Sequence, residues 1–208
     1  MSSQELISHY QSLLAEHGPC SKAVQWADDK TQRKRFEVLS EISESMESVL
    51  DVGCGLGHYY TFLRNTGREC VYEGVDIVPE FIDIANQMMS GDISGNAVLI
   101  DTDGDLPKGH DFGILSGAFN NAMDDNWGFM TSMLRKMYGA ANKGIAFNAL
   151  TSHVDYVDDG LFYVDPTRVI DFCKIELGGH PILRHDYTLR PNGFPFEFSV
   201  HVYKKPQY

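Results

Sequence analysis

The chain has 208 residues, 43% of them hydrophobic, which suits one domain that buries its core without help from disulfides. Its 29 acidic and 17 basic side chains leave a formal charge of -12, the wrong sign for following a phosphate backbone, so nucleic acid is a disfavoured partner. No stretch approaches about 18 consecutive apolar residues, and the first residues lack a charged segment followed by an apolar run, so neither membrane spanning nor secretion is expected.

The four cysteines, Cys20, Cys54, Cys70 and Cys173, stand apart with no C-x-x-C pair. Neither a zinc centre nor a disulfide framework is expected, and reduced thiols in a cytoplasmic protein fit this usage. In chain order, Leu6, Tyr10, Leu13 and Leu14 recur at helical spacing until Gly18-Pro19, and a second helical pattern carries Phe36, Leu39 and Ile42. The basic run Lys30, Arg33, Lys34 and Arg35 within it reads as a solvated helix face. From Ser48 the character changes: VLDVG runs into a glycine cluster, a helical stretch follows, and CVYEGVDIV leads through Pro79 into the helix-like EFIDIANQMM.

The alternation continues with AVLI (97–100), FGILSG (112–117), a helix through Phe129, Met133, Leu134 and Met137, and GIAFNAL (144–150). Asp165-Pro166 opens a helix carrying Val169, Ile170 and Cys173. In the last segment Phe196, Phe198, Val200 and Val202 alternate with Glu197, Ser199, His201 and Tyr203, the period of a strand. The RPNG that separates it from PILRHDYTL predicts a turn and a closing antiparallel hairpin. The expected fold is α/β: a Rossmann-like, mostly parallel sheet with helices on both faces, a C-terminal antiparallel hairpin and an N-terminal helical lid. Residues 1–46 would form the lid and 47–208 the core of a single domain.

The strongest local signal is Val49-Leu50-Asp51-Val52-Gly53-Cys54-Gly55-Leu56-Gly57, a buried strand entering a loop with glycine at alternate positions. Glycine there lets the backbone bend sharply and lets a ligand lie against the main chain. Asp76 ends the next strand, 19 residues after Gly57, where a carboxylate can accept both hydroxyls of a nucleoside ribose. A dinucleotide fingerprint needs a third glycine where this chain has the bulky His58, so a nicotinamide cofactor is the weaker choice.

The segment D-V-G-C-G-L-G, with Asp76, resembles the first motif of class I S-adenosylmethionine-dependent methyltransferases, and the order of motifs extends the resemblance over about residues 47 to 150. It implies S-adenosylmethionine as cofactor, with Gly53, Cys54, Gly55 and Gly57 against its methionine part and Asp51 orienting the amino group. Asp76 would hold the ribose, Ile77 would cover the adenine, and Asp101 would meet the adenine amine, with Asp103 and Asp105 as competitors. Ser116-Gly117-Ala118-Phe119-Asn120 falls where the family places groups beside the transferable methyl, and the N/D-P-P-F/Y form of nucleic-acid amine methyltransferases is absent. Arg184-His185-Asp186-Tyr187 is similar to a closing segment of small bacterial and phage-type methyltransferases.

Methyl transfer from a sulfonium is an in-line displacement, so the protein mainly aligns a nucleophile and excludes water. Asn120 and His185 lead the catalytic candidates, with Asn148, His153, Asp186 and Glu197 behind them; His9 and His58 carry no assignment. His185 and Asp186 would face opposite sides if both lie in a strand. Trp26, between the two predicted helices, could cover cofactor or acceptor as part of a lid over residues 1 to 35. The expected acceptor is a small molecule or peptide. The competing readings are a non-catalytic S-adenosylmethionine-binding regulatory module and, behind it, a nicotinamide-dependent oxidoreductase.

Overall fold

The structure, a computed structural model, describes residues 3–26 and 28–207. Five parallel strands, β1 (Ser48–Val52), β2 (Val71–Asp76), β3 (Gly95–Leu99), β4 (Phe112–Leu115) and β5 (Gly144–Thr151), form most of one sheet. Two more, β7 (His180–Arg184) and β8 (Glu197–Tyr203), close it antiparallel in the order β3-β2-β1-β4-β5-β8-β7, while the two-residue β6 (Tyr163–Val164) pairs with the end of β5. Helices α3 (His58–Asn65), α4 (Pro79–Met88), α5 (Asn126–Ala140) and α6 (Pro166–Asp171) connect the strands, and α6 widens into a π-helical turn over Phe172–Glu176. The chain order reverses between β1 and its two neighbours β2 and β4, which opens a crevice at the strands' carboxyl ends. Among the described residues no helix is long and apolar enough to cross a membrane.

The expected α/β sheet is observed, including strands that the apolar runs marked. The closing antiparallel hairpin is observed too, with a shorter first strand and a longer connection than the RPNG turn alone implies. His185, Asp186 and Tyr187 leave the sheet, and β7 and β8 are joined by the long connection 185–196, with the RPNG turn at its tip. Tyr187 causes the departure: its side chain turns inward, where its hydroxyl donates to Glu197 and meets Ser199 Oγ, each at 2.9 Å. A further apolar anchor is Leu189, which packs with Val38 and Phe196.

The N-terminal region forms α1 (Ser3–His17), a short 3-10 turn (Ser21–Val24) and α2 (Asp29–Ser40), whose first turn is capped by the Asp28 carboxylate accepting from Thr31 N–H at 2.8 Å. Strand β8 alternates apolar with polar residues, yet it is buried along its whole length. Helix α2 and the residues just after it explain this, because they meet Glu197, His201 and Tyr203 of the polar stripe, while Tyr187 meets Ser199. Arg35 donates to Glu197, His201 donates to the Val38 carbonyl at 3.0 Å, and the Tyr203 hydroxyl donates to the Ile42 carbonyl at 3.0 Å. Burial lowers the His201 pKa to about 4, so the imidazole is neutral there. The reading of Lys30–Arg35 as a solvated face is corrected at Arg35, which is 5% exposed.

Candidate active site

The glycine loop is built by the main chain and by one carboxylate. Gly53 and Cys54 donate their N–H groups to the Val75 carbonyl at 2.8 and 3.0 Å, which folds the loop back against β2. Gly53, Gly55 and Gly57 have φ of +74°, +52° and +79°, a region that side chains with a Cβ rarely enter. The Asp76 carboxylate accepts from Gly55 N–H at 2.8 Å and from Val78 N–H at 3.0 Å, so it fixes both the loop after β1 and the start of α4. Asp51, 3% exposed, accepts from the Tyr72 hydroxyl at 2.7 Å.

These elements line a cavity of about 620 Å³ at the strands' carboxyl ends, inside the ~300–1,000 Å³ range of small-molecule pockets. Asp51, Gly53, Cys54, Gly55, Asp76, Ile77, Ser116 and Asn120 all face it, which brings most of the expected site together. Gly57 does not line it; a Cβ there would touch Ala85 of α4 at 3.4 Å, so its smallness serves helix packing. Asp101 is exposed and off the lining, whereas Thr102 and Asp103 take that place. His185 is also absent from the lining. Its Nε2 lies 3.2 Å from the Pro195 carbonyl, its ring packs against Phe198 and His153, and Asp186 is taken by Arg184 at 2.8 Å.

The N-terminal segment supplies the roof. Tyr10, Gln25 and Trp26 face the cavity, and the Asn121 amide donates to Gln25 Oε1 at 2.9 Å and to the Tyr10 hydroxyl at 3.3 Å, tying roof to the loop after β4. The Trp26 ring lies against Gly117 and under the Arg35 guanidinium, 4.1 Å from the ring centroid. Beneath it runs a buried polar chain. Arg35 Nε and Nη2 stand 2.8 Å from Glu197 Oε2, Asn148 Nδ2 donates to Glu197 Oε1 at 3.2 Å, and Asn148 Oδ1 accepts from Gly117 N–H at 2.8 Å.

Among the described residues four buried side-chain atoms lack a hydrogen-bond partner, and three of them, His58 Nδ1, Ser116 Oγ and Asn120 Oδ1, belong to residues lining this cavity. Buried polar atoms are normally satisfied, so this clustering points to a polar ligand. His58, which carries no assignment from the sequence, is the first residue of α3 and lines the cavity with its Nδ1 unpartnered. Burial lowers its pKa, which keeps the imidazole neutral. Burial raises the Asp51 carboxyl to about 7 against the hydrogen bond from Tyr72, with the Asp76 charge adding to the rise. Asp76 is itself raised by burial, and Tyr10 is pushed up to about 12 by burial and by the Asp76 charge.

No protein-family model matches the chain. A Mycobacterium tuberculosis (strain ATCC 25618 / H37Rv) protein named "Putative methyltransferase Rv1506c" is 31% identical over 163 residues, spanning 76% of this chain and 93% of the relative. The chain belongs to the class I S-adenosylmethionine-dependent methyltransferases. Solved methyltransferases share the fold at low identity. The apo form of the S-adenosylmethionine-dependent methyltransferase SibL gives a TM-score of 0.69 at 14% identity, covering 95% of this chain and 62% of its own. The DhpI-SAM-HEP complex gives 0.67 at 14%, covering 99% and 100%. Magnesium protoporphyrin IX methyltransferase (ChlM) from Synechocystis PCC 6803, with bound SAM, gives 0.63 at 11%, covering 84% and 80%. The 3-2-1-4-5 run of parallel strands, closed by an antiparallel strand between β5 and β7, is thus the methyltransferase sheet of this chain.

Proposed function

We propose that this methyltransferase modifies a small molecule enclosed beside S-adenosylmethionine in the single cavity formed by the glycine loop, the loop after β4 and the N-terminal roof. The observation that carries this reading is the convergence on one space of the Asp76 carboxylate, the positive-φ Gly53 and Gly55, and the unpartnered Ser116 Oγ and Asn120 Oδ1. The donor set fits the cofactor. Asp76, already anchored by two backbone N–H groups, has lone pairs left for the ribose hydroxyls, and Ile77 offers an apolar wall for the adenine. Thr102 and Asp103, which line the cavity, would meet the adenine amine, and Asp51 would supply negative charge for the methionine ammonium. When bound, S-adenosylmethionine supplies an activated methyl group on a sulfonium. The chain's own work is positional: Asn148 fixes the Gly117 N–H, Trp26 covers that turn against water, and Ser116 and Asn120 hold the acceptor in line.

Roofing by Tyr10, Gln25 and Trp26 supports a small acceptor over a large one, and the charge of -12 argues against nucleic acid. The four cysteines are all free, which supports a cytoplasmic location. Calorimetric titration with S-adenosylmethionine, S-adenosylhomocysteine and NAD tests the cofactor site. Micromolar binding of the first two is expected, weakened about ten- to a hundredfold in Asp76→Ala, the worth of one charge-assisted hydrogen bond. Binding of NAD alone, or of none of the three, defeats the proposal.

A further inference from the structure

Resting on that reading, we infer that the methyl acceptor is a small amine on a flat, apolar body, its nitrogen held by the Asn120 amide and its body laid against Trp26. The cavity continues past the glycine loop toward the ends of β5 and β8, and there its apolar walls are Leu150, Leu161, Leu189 and Phe196, with Arg190 beside Leu189. An apolar surface of this kind stabilises an apolar body and gives a polar one nothing in return for its lost water.

The polar groups at this end sort the nucleophile. Asn121 is already occupied with Tyr10 and Gln25, but the buried Asn120 Oδ1 accepts from nothing and calls for an N–H or O–H from the occupant. An alcohol would need a base. Of the buried carboxylates, Glu197 already accepts from Arg35, Asn148 and Tyr187, while Asp51, bonded to Tyr72, and Asp76, bonded to the Gly55 and Val78 N–H groups, stand on the glycine-loop side with the cofactor, and the imidazole of His185 lies off the lining. His58 stands at the head of α3, on the glycine-loop side where the methionine part of the cofactor would lie. A carboxylate or thiolate nucleophile would carry negative charge toward the buried Asp51 and Asp76. An alkylamine is an ammonium near neutral pH and gives one proton to bulk water before it enters the apolar end, where burial favours the neutral form; the neutral amine left there needs no base and meets no such repulsion. Its lone pair forms the new C–N bond as the C–S bond breaks, and the electron pair of that bond stays on sulfur as S-adenosylhomocysteine. The methylated ammonium then gives its proton to water. With one N–H donated to Asn120 Oδ1, the lone pair is turned toward the methyl carbon.

The test is an acceptor panel with the full chain and S-adenosylmethionine: phenethylamine and tryptamine, the matched alcohols 2-phenylethanol and tryptophol, and the polar amines ethanolamine and lysine. S-adenosylhomocysteine formation is followed by mass spectrometry, and binding of each compound to the protein saturated with S-adenosylhomocysteine by calorimetry. The aromatic amines are expected to exceed both other groups by about tenfold or more in kcat/KM, the usual penalty for stranding a buried polar partner or a polar body. Asn120→Leu is expected to lower amine turnover by about tenfold while leaving S-adenosylhomocysteine affinity intact. Equal or better turnover of the alcohols or polar amines overturns the inference, as does failure of every panel member to bind while S-adenosylhomocysteine still binds. If S-adenosylhomocysteine itself does not bind, the cofactor reading falls first and takes this inference with it.

Discussion

Lowering the pH from 7.5 to 6 is expected to weaken S-adenosylmethionine binding through one group, Asp51. Its side chain is buried, and burial together with the Asp76 charge lifts its carboxyl to about 7 despite the Tyr72 hydrogen bond. A raised carboxyl holds its proton in the free protein, whereas a cationic ligand requires the ionised form, so affinity falls as pH falls. With a midpoint near 7, about one Asp51 in ten is ionised at pH 6 and about three in four at pH 7.5. The affinity ratio is then about eightfold, or ~1.2 kcal/mol. Calorimetry in two buffers of different ionisation enthalpy gives both readouts, and at pH 6 binding is expected to release close to one proton per site. Asp51→Asn is expected to flatten the profile. A wild-type affinity that changes by less than about twofold over this range, or an equal slope in Asp51→Asn, would refute the assignment of Asp51 to the ligand's cationic end.

Two further substitutions probe the roof. Gly117 has a φ of +82° and a Cβ there would run into the Trp26 ring, so Gly117→Ala is expected to displace the indole. The strained backbone and the lost contact with Arg35 together cost about 2 kcal/mol, a fall of ~4–8 °C in Tm, with a red shift in tryptophan emission; unchanged emission would show that Trp26 does not lie on this turn. Arg35→Met leaves Glu197 buried beside only neutral partners and is expected to cost about 3–5 kcal/mol in urea unfolding, much of it recovered when Glu197→Gln is added. A loss below about 1 kcal/mol in the single variant would mean that water reaches the carboxylate.

The strands β1 to β5 were legible because each is an apolar run bounded by turn residues, and the glycine loop because its conformation is a local demand that only glycine meets easily. What the sequence hid depends on contacts between distant segments. The alternation in β8 correctly marked a strand, but nothing local says that α2, some 160 residues earlier, covers its polar stripe and meets Glu197 with Arg35. For the same reason the basic run at 30–35 read as uniformly solvated. His185 attracted attention as an imidazole beside a carboxylate, yet Tyr187 pulls the chain out of the strand and leaves that imidazole against the Pro195 carbonyl. His58 was weighed as a failed glycine of another motif and given no assignment, because nothing local says that its ring turns into the cavity with Nδ1 unpartnered.

The buried polar contacts form a closed circuit rather than a set of separate bonds. Gly117 N–H is held by Asn148, Asn148 by Glu197, Glu197 by Arg35, and the Arg35 guanidinium stacks on Trp26, whose ring returns to Gly117. The circuit joins α2 and the roof to β8, β5 and the turn after β4, so none of these can shift without breaking a bond to a buried group. Apolar side chains could hold α2 on the sheet at least as firmly, because a buried ion pair recovers little beyond its own desolvation. They could not fix the direction of the Gly117 N–H or the plane of Trp26. Direction is what an in-line methyl transfer requires, since a displacement of about 1 Å can cost a hundredfold in rate. The polar stripe of β8 therefore makes sense as alignment: it sets the roof and the turn after β4 in one register.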